Sequence, residues 1–205
     1  MLKNIIFDMG NVLLQYQPQR FVARHTDDPA LQKLLIQELF SSAEWVGMDR
    51  GTVTEEETYE LVSKRLPQEL HPILKSLLES WFQDLRPMPG MDTLITELNA
   101  RGHNLYLLSN VGNRYSEFRH LIPGIELFEG EYISSEHGVL KPSPLIYEMF
   151  CETFDLDPET CIFIDDSAAN VEVAQRSGML GIVFHGDVDK LRHVLDNSPT
   201  HIDPQ

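Results

Sequence analysis

Basic residues are scarce in this chain: 16 Lys and Arg stand against 32 Asp and Glu, a formal net charge of −16. That excess repels nucleic acid and anionic membrane surfaces and leaves no basic stripe to hold either, so neither is an expected partner. An anionic substrate would have to find positive charge supplied locally by its site. Cysteine is nearly absent as well. Cys151 and Cys161 are the only two, with no CxxC and no metal-ligand spacing. This argues against a disulfide scaffold and suits a reducing, cytoplasmic location. The eight histidines are scattered singly and offer no metal-ligand pair. No apolar run approaches membrane-spanning length, and Met1-Leu2-Lys3-Asn4 leads directly into the first strand pattern, so no signal peptide is expected. Internal repeats and low-complexity segments are also missing.

What remains is an ordinary globular composition, 42% hydrophobic and 23% charged over 205 residues. The length allows one domain with an insert or two small ones. The organising stretch is Asn4-Ile5-Ile6-Phe7-Asp8-Met9-Gly10-Asn11-Val12. Ile5 to Phe7 is a short β-favouring run, Asp8 ends it and Gly10-Asn11 breaks it, the pattern of a strand buried on both faces. After Leu14 the spacing turns helical. Pro29 to Phe40, Ser42 to Arg50, the capping-box start at Thr54-Glu55-Glu56-Glu57 and Pro72 to Leu85 all read as helices. Pro87-Met88-Pro89-Gly90 marks a boundary.

From there helix and strand alternate. Strands are expected at Asn104 to Ser109, Tyr132 to Ser134, Cys161 to Asp165 and Leu180 to Phe184. Helices are expected at Met91 to Arg101, Pro144 to Phe154, Ala168 to Ser177 and Val188 to Leu195, before a loose polar tail from Ser198 to Gln205. The alternation predicts an α/β fold with a Rossmann-like parallel sheet covered on both faces. Residues 1–14 and 87–205 would form this catalytic core, and 15–86 an inserted all-helical cap domain. The insert leaves the core just after Asp8, so it is placed to act as a lid with hinges near Leu14–Gln17 and Leu85–Gly90.

In a parallel sheet, Asp8, Ser109-Asn110 and Asp165-Asp166 fall on one edge, where open α/β sheets bind their ligands. Lys141, in Gly138-Val139-Leu140-Lys141-Pro142, joins them. Each alone has a plain structural reading: a turn serine, a solvated loop lysine, an acidic helix start. Their order along the chain makes a site. Three carboxylates and one lysine cannot receive an anion without a further cation, and carboxylate oxygens favour a hard ion such as Mg²⁺. Lys141 then offers a point charge, and the Ser109 hydroxyl with a neighbouring backbone N–H offers hydrogen bonds to phosphoryl oxygens. Asp8 is left as the nucleophile of an aspartyl-phosphate.

The order Asp8-x-Gly10-Asn11-Val12, Ser109-Asn110, Lys141-Pro142, Asp165-Asp166-x-x-x-Asn170 resembles the haloacid dehalogenase superfamily, in its branch with a helical (C1) cap after the first strand. The resemblance covers nearly the whole chain. It implies Asp8 as nucleophile, Ser109, Asn110 and Lys141 around the phosphoryl group, and Asp165 and Asp166 binding or orienting Mg²⁺. The Gly10 backbone carbonyl would be a further metal ligand. The form FDxGNV looks most like small sugar-phosphate phosphatases, particularly those acting on hexose-1-phosphates.

One departure matters. Most phosphatases of that family carry a second Asp two positions after the nucleophile as general acid and base, and here that position is Gly10. A general acid contributes about 10²–10⁴-fold, so its absence is expected to favour substrates with acidic leaving groups. The alternatives are a catalytically weak phosphate-binding or regulatory protein and a haloacid dehalogenase, which needs no acid but uses no metal. For selecting a small phosphorylated metabolite the candidates are Tyr16, Trp45, Asp49 and Arg50, in or near the insert.

Overall fold

The computed structural model describes residues 2–198. Seven strands occur among these residues: β1 (Asn4–Phe7), β2 (Leu14–Gln15), β3 (Arg86–Pro87), β4 (Asn104–Ser109), β5 (Phe128–Ile133), β6 (Cys161–Asp165) and β7 (Leu180–Val183). Five of them form one parallel sheet in the order β5-β4-β1-β6-β7, with β1 in the middle. Parallel neighbours need crossover connections, and the intervening segments are long enough to supply them as helices. The chain runs from β1 through β4 to β5, then jumps back across β1 to β6 and β7. The strand order therefore reverses between β1 and β6, which opens a crevice at their C-terminal ends.

The period of two along each strand separates two cores. Ile5, Phe7, Leu105, Leu107, Ile162 and Ile164 face one side, where they meet helix α6 (Met91–Ala100) and helix α11 (Val188–Asp196). Ile6, Tyr106, Leu108, Cys161 and Phe163 face the other, against α9 (Pro144–Phe154) and α10 (Ala168–Arg176). A central strand buried on both faces must be apolar throughout, which is why β1 and β6 read as unbroken runs.

Residues 18–84 are helical: α1 (Pro18–Ala23), α2 (Pro29–Leu35), α3 (Ala43–Arg50), α4 (Glu55–Ser63) and α5 (His71–Ser80). The capping box at α4 is present, with the Thr54 side chain accepting from the Glu57 N–H and the Glu57 carboxylate accepting from the Thr54 N–H. Both connections to the core pass through one short antiparallel ribbon, in which Leu14 faces Pro87 and Gln15 faces Arg86. The apolar interior of the insert is continuous with the α6 side of the core through Phe21, Leu39, Trp45 and Trp81.

The helices differ from their expected limits in three places. The Pro29–Phe40 helix widens into a π turn at Ile36–Phe40, and this turn brings Leu39 and Phe40 to the buried side together. The Pro72–Leu85 helix is broken at Ser80, whose backbone leaves the helical region (φ −145°), and continues as a 3₁₀ turn over Trp81–Asp84. Helix α1 falls where the spacing assigned nothing. Strand β5 starts four residues earlier than expected and ends before Ser134, which opens the short helix α8 (Ser134–His137). Two shorter helical turns occupy the core loops, α7 (Tyr115–Phe118) and the α8 just described. Of the expected tail, only Ser198 is among the described residues.

Candidate active site

The crevice at the β1/β6 switch holds the expected carboxylates. Asp8 follows β1 and donates its backbone N–H to the Ile164 carbonyl at 2.8 Å, which extends the strand ladder by one residue and fixes where the side chain emerges. Asp165 ends β6 and is completely buried. Its carboxylate accepts from the Ser167 N–H (2.8 Å) and from Asn170 Nδ2 (3.0 and 3.1 Å). These contacts tie it to the first turn of α10, which Ser167 caps. One oxygen from each of Asp8, Asp165 and Asp166 lies within 4.8 Å of the others.

Lys141 is not a solvated loop lysine. Its side chain is 1% exposed, and Nζ donates to Asp8 Oδ1 (2.6 Å), Asp165 Oδ2 (2.8 Å) and the Leu108 carbonyl (2.8 Å). All three donor positions are filled, so the ammonium is a fixed charge between the two strands. Asn110 explains its placement. The Asn110 Oδ1 accepts from the Lys141 N–H and its Nδ2 donates to the Lys141 carbonyl, both at 2.9 Å. The Asn110 side chain thus clamps the lysine backbone, which leaves only the Asn110 backbone for a phosphoryl oxygen. Ser109, at the end of β4, is 1% exposed on the same edge.

Charge is unevenly balanced here. Burial lifts the Asp8 carboxyl above the ordinary carboxylate range, with Lys141 opposing and Asp165 adding to the rise. Asp166 is raised as well, chiefly by burial and against an amide hydrogen bond from Asn11. One lysine among three carboxylates leaves surplus negative charge, and the close oxygens suit a hard divalent cation. The residues present therefore fit a hard divalent ion such as Mg²⁺, for which Asp8, Asp165 and Asp166 each offer a carboxylate oxygen. Asn11 is a residue that the sequence marked only as a turn. It sits at φ +55°, its Nδ2 donates to Asp166 Oδ2 (3.0 Å), and its Oδ1 accepts from the Tyr16 N–H (3.0 Å). The signal for it was the Gly-Asn pair, since Asn tolerates the left-handed region better than most residues.

Of the residues expected to select substrate, Tyr16 packs edge-on against Phe21 and Trp81. Trp45 and Asp49 line a cavity of about 290 Å³ between the insert and the loop after β4, together with Trp81, Gly112 and Arg114. Trp45 is also buried in the insert core, where its ring meets Phe40 and Trp81. Arg50 is exposed at the end of α3 and does not line that cavity. Asp8 and Lys141 are not in its walls either; Gly112 and Asn113, which are, follow the Ser109-Asn110 pair along the chain. Arg114 was not expected. It makes a bidentate pair with Glu55 and so ties the β4 loop to helix α4. Neither residue lies in a periodic pattern, so the sequence carried no signal for the pair.

Comparison with known proteins gives the same assignment. The profile of the haloacid dehalogenase-like hydrolases matches residues 2–178. A sesquiterpene phosphatase, astK of Aspergillus oryzae, is 26% identical over 181 residues, covering 88% of each protein. A drimenol cyclase, drtB of Aspergillus calidoustus, is 27% identical, and there the match covers 96% of this chain but only 36% of the relative. Among solved structures, the HAD family enzyme bt-2542 of Bacteroides thetaiotaomicron, in complex with magnesium and inorganic phosphate, superposes with a TM-score of 0.71 at 22% identity. That alignment covers 93% of this chain and 99% of the other. The L-2-haloacid dehalogenase of Xanthobacter autotrophicus, with chloropropionic acid covalently bound, gives 0.67 at 18% identity, covering 98% and 85%. Among the described residues no helix is long and apolar enough to cross a membrane.

Proposed function

The chain belongs to the haloacid dehalogenase-like hydrolases, and from that premise we propose that it is a Mg²⁺-dependent phosphatase of a small phosphorylated metabolite, working through an aspartyl-phosphate on Asp8. The observation that carries the reading is the cluster of Asp8, Asp165 and Asp166 with Lys141 fixed between two of them. Asp8 attacks phosphorus, while Lys141 supplies a fixed positive charge beside it and the hydrogen-bond donors at Ser109 and Asn110 hold the phosphoryl oxygens. When bound, the metal ion neutralises the surplus carboxylate charge and polarises the phosphoryl group. The sesquiterpene phosphatase relative supports the reading at the level of reaction class.

The same cluster disfavours the two alternatives. A haloacid carries its own carboxylate, which surplus negative charge would repel, and halide displacement has no use for Asp166. A merely regulatory protein would have no need of a complete nucleophile, lysine and metal set. The two free cysteines, both buried, support a cytosolic setting. For the substrate, the resemblance to hexose-1-phosphate phosphatases fits a cavity lined by Trp45 and Trp81, aromatic side chains of the kind that pack against a sugar's C–H groups. Turnover of hexose phosphates over alkyl and prenyl phosphates in a metabolite screen supports this, and the reverse preference overturns it.

Two outcomes test the site. Asp166→Ala is expected to lower Mg²⁺ affinity and turnover together by at least about 10–100-fold, the scale for losing an outer-shell partner and so a floor for a carboxylate in the ligand set. Excess chelator should abolish phosphate release and added Mg²⁺ should restore it. Full activity in chelator removes the metal from the reading. The second outcome concerns the insert. We propose that residues 15–86 act as a cap domain on the 1–14 and 87–205 core, moving about the Leu14–Gln15/Arg86–Pro87 ribbon. Amide exchange at 14–17 and 85–90 should slow when a phosphate mimic binds, and equal protection with and without it would rule out a moving lid.

A further inference from the structure

Gly10 has no carboxyl group to protonate a leaving oxygen, yet the space for one is there. A Cβ at Gly10 would stand 3.8 Å from Asp8 Oδ2 and 3.9 Å from the Tyr16 Cβ, ordinary contact distances. The Gly10 backbone is not in the left-handed region, so an aspartate is tolerated there without strain. Tyr16 therefore borders the place where an acid would work. Its phenol is pushed up beyond its ordinary range by burial and by the charge of Asp49, which makes it a poor proton donor itself.

Asp49 lies near the end of α3, and its backbone is held by the core. Ser134 Oγ donates to the Asp49 carbonyl and accepts from the Val111 N–H at 3.0 Å. The Met48 carbonyl lies 3.4 Å from where a Gly112 Cβ would be, so the end of α3 packs closely on the loop after β4. The Asp49 backbone is thereby pinned to the loop that starts with Ser109-Asn110, and its side chain lines the cavity between α3 and that loop. Of the other acids in that cavity, Glu55 is taken by Arg114 and Glu56 is exposed. Among the described residues, Asp49 has no basic partner. The groups facing it are Tyr16, the Gly112 N–H, and, across the cavity, Glu55, Glu56 and Arg114.

We propose that Asp49 supplies from the insert the proton that Gly10 cannot, as the general acid and base of the reaction. This rests on the phosphatase reading. The proposal requires that the ester oxygen of a phosphoryl group bound at Asp8 point away from Lys141 and Asp165 and toward the insert. As an Asp8 oxygen bonds to phosphorus, the phosphorus–ester oxygen bond breaks and the leaving oxygen takes the Asp49 proton. Water then attacks the aspartyl-phosphate, its proton passes to the Asp49 carboxylate, and inorganic phosphate leaves as Asp8 is regenerated. Burial pushes the Asp49 carboxyl up to about 7, against the opposing Gly112 N–H, the range in which one group serves both steps near neutral pH.

The test is single-turnover hydrolysis of a set of substituted phenyl phosphates of similar shape but different leaving-group acidity. The wild type should show a shallow dependence on leaving-group pKa. Asp49→Asn should make it steep, with the least acidic phenol slowed about 10²–10⁴-fold and the most acidic one slowed far less. The fall in wild-type rate as pH rises through the Asp49 range should vanish with it. Asp49→Glu should keep part of the rate, and adding Gly10→Asp to Asp49→Asn should restore the shallow slope. Circular dichroism verifies that each variant is folded. If Asp49→Asn slows all the esters equally or none, the proposal is overturned while the phosphatase reading stands. If the wild type hydrolyses none of them, the phosphatase reading itself fails.

Discussion

Asp8→Asn is expected to lose phosphatase turnover by about 10⁴–10⁶-fold, the scale seen when a covalent nucleophile is removed, while still folding. An amide oxygen is too weakly nucleophilic to attack phosphorus, and no second carboxylate can take over: Asp165 is fully buried and Asp166 is held by Asn11. The fold should survive because the Asn side chain keeps the shape of Asp8 and still offers an oxygen to Lys141 Nζ, now at 2.6 Å from Asp8 Oδ1. One buried charge is removed in exchange for a weaker hydrogen bond, so stability should change by no more than about 1–2 kcal/mol. Measured kcat and thermal melts decide this. A variant with wild-type turnover, freed of contaminating phosphatase, would eliminate Asp8 as nucleophile.

Lys141→Met should be the most destabilising single change in the site. Methionine fills a similar volume but leaves Asp8 and Asp165 facing each other at 8% and 0% exposure with no cation between them. Breaking a buried pair by removing one partner costs about 3–5 kcal/mol. The sign of the pH dependence follows. Burial already raises the Asp8 carboxyl and Lys141 opposes that rise, so without the ammonium the folded state holds more of the Asp8 proton at neutral pH. The penalty is therefore largest above the ordinary carboxylate range and fades as the pH falls below it. Mg²⁺ should recover part of the stability by replacing the lost charge. Denaturant unfolding at neutral and acid pH measures this, and equal stability of the two proteins at neutral pH would mean that Lys141 does not hold the cluster together. Turnover should fall by about 10²–10³-fold as well, since a preorganised charge on the phosphoryl oxygens is lost.

The strand ends were legible in the sequence for a physical reason. A strand covered on both faces must be apolar throughout, so the first polar residue after Ile5-Ile6-Phe7 or Ile162-Phe163-Ile164 marks the open edge of the sheet. β5 was harder. As an edge strand it carries Glu129, Gly130 and Glu131, and Glu131 is engaged by Arg119 and Tyr115, so only its last residues looked like a strand. The burial of Lys141 could not be read locally. A Leu-Lys-Pro loop looks solvated until Leu108, Asp8 and Asp165, from three different strands, close around it. Asn110 shows the limit of reading a motif: it was expected at the phosphoryl group, and its amide instead holds the Lys141 backbone in place. Asp49 was visible as a helix-end acid, but its surroundings depend on how closely α3 meets Gly112, which no spacing along the chain encodes.

The central claim is that Asp8 carries the phosphoryl group during turnover. Mixing the enzyme with substrate and Mg²⁺, quenching in acid before a single turnover is complete, and mapping the peptides by mass spectrometry tests it directly. The peptide containing Asp8 should carry the mass of one phosphoryl group, at an occupancy that rises and decays with phosphate release. Phosphate release with no such adduct on Asp8, or with the adduct on another residue, would contradict it.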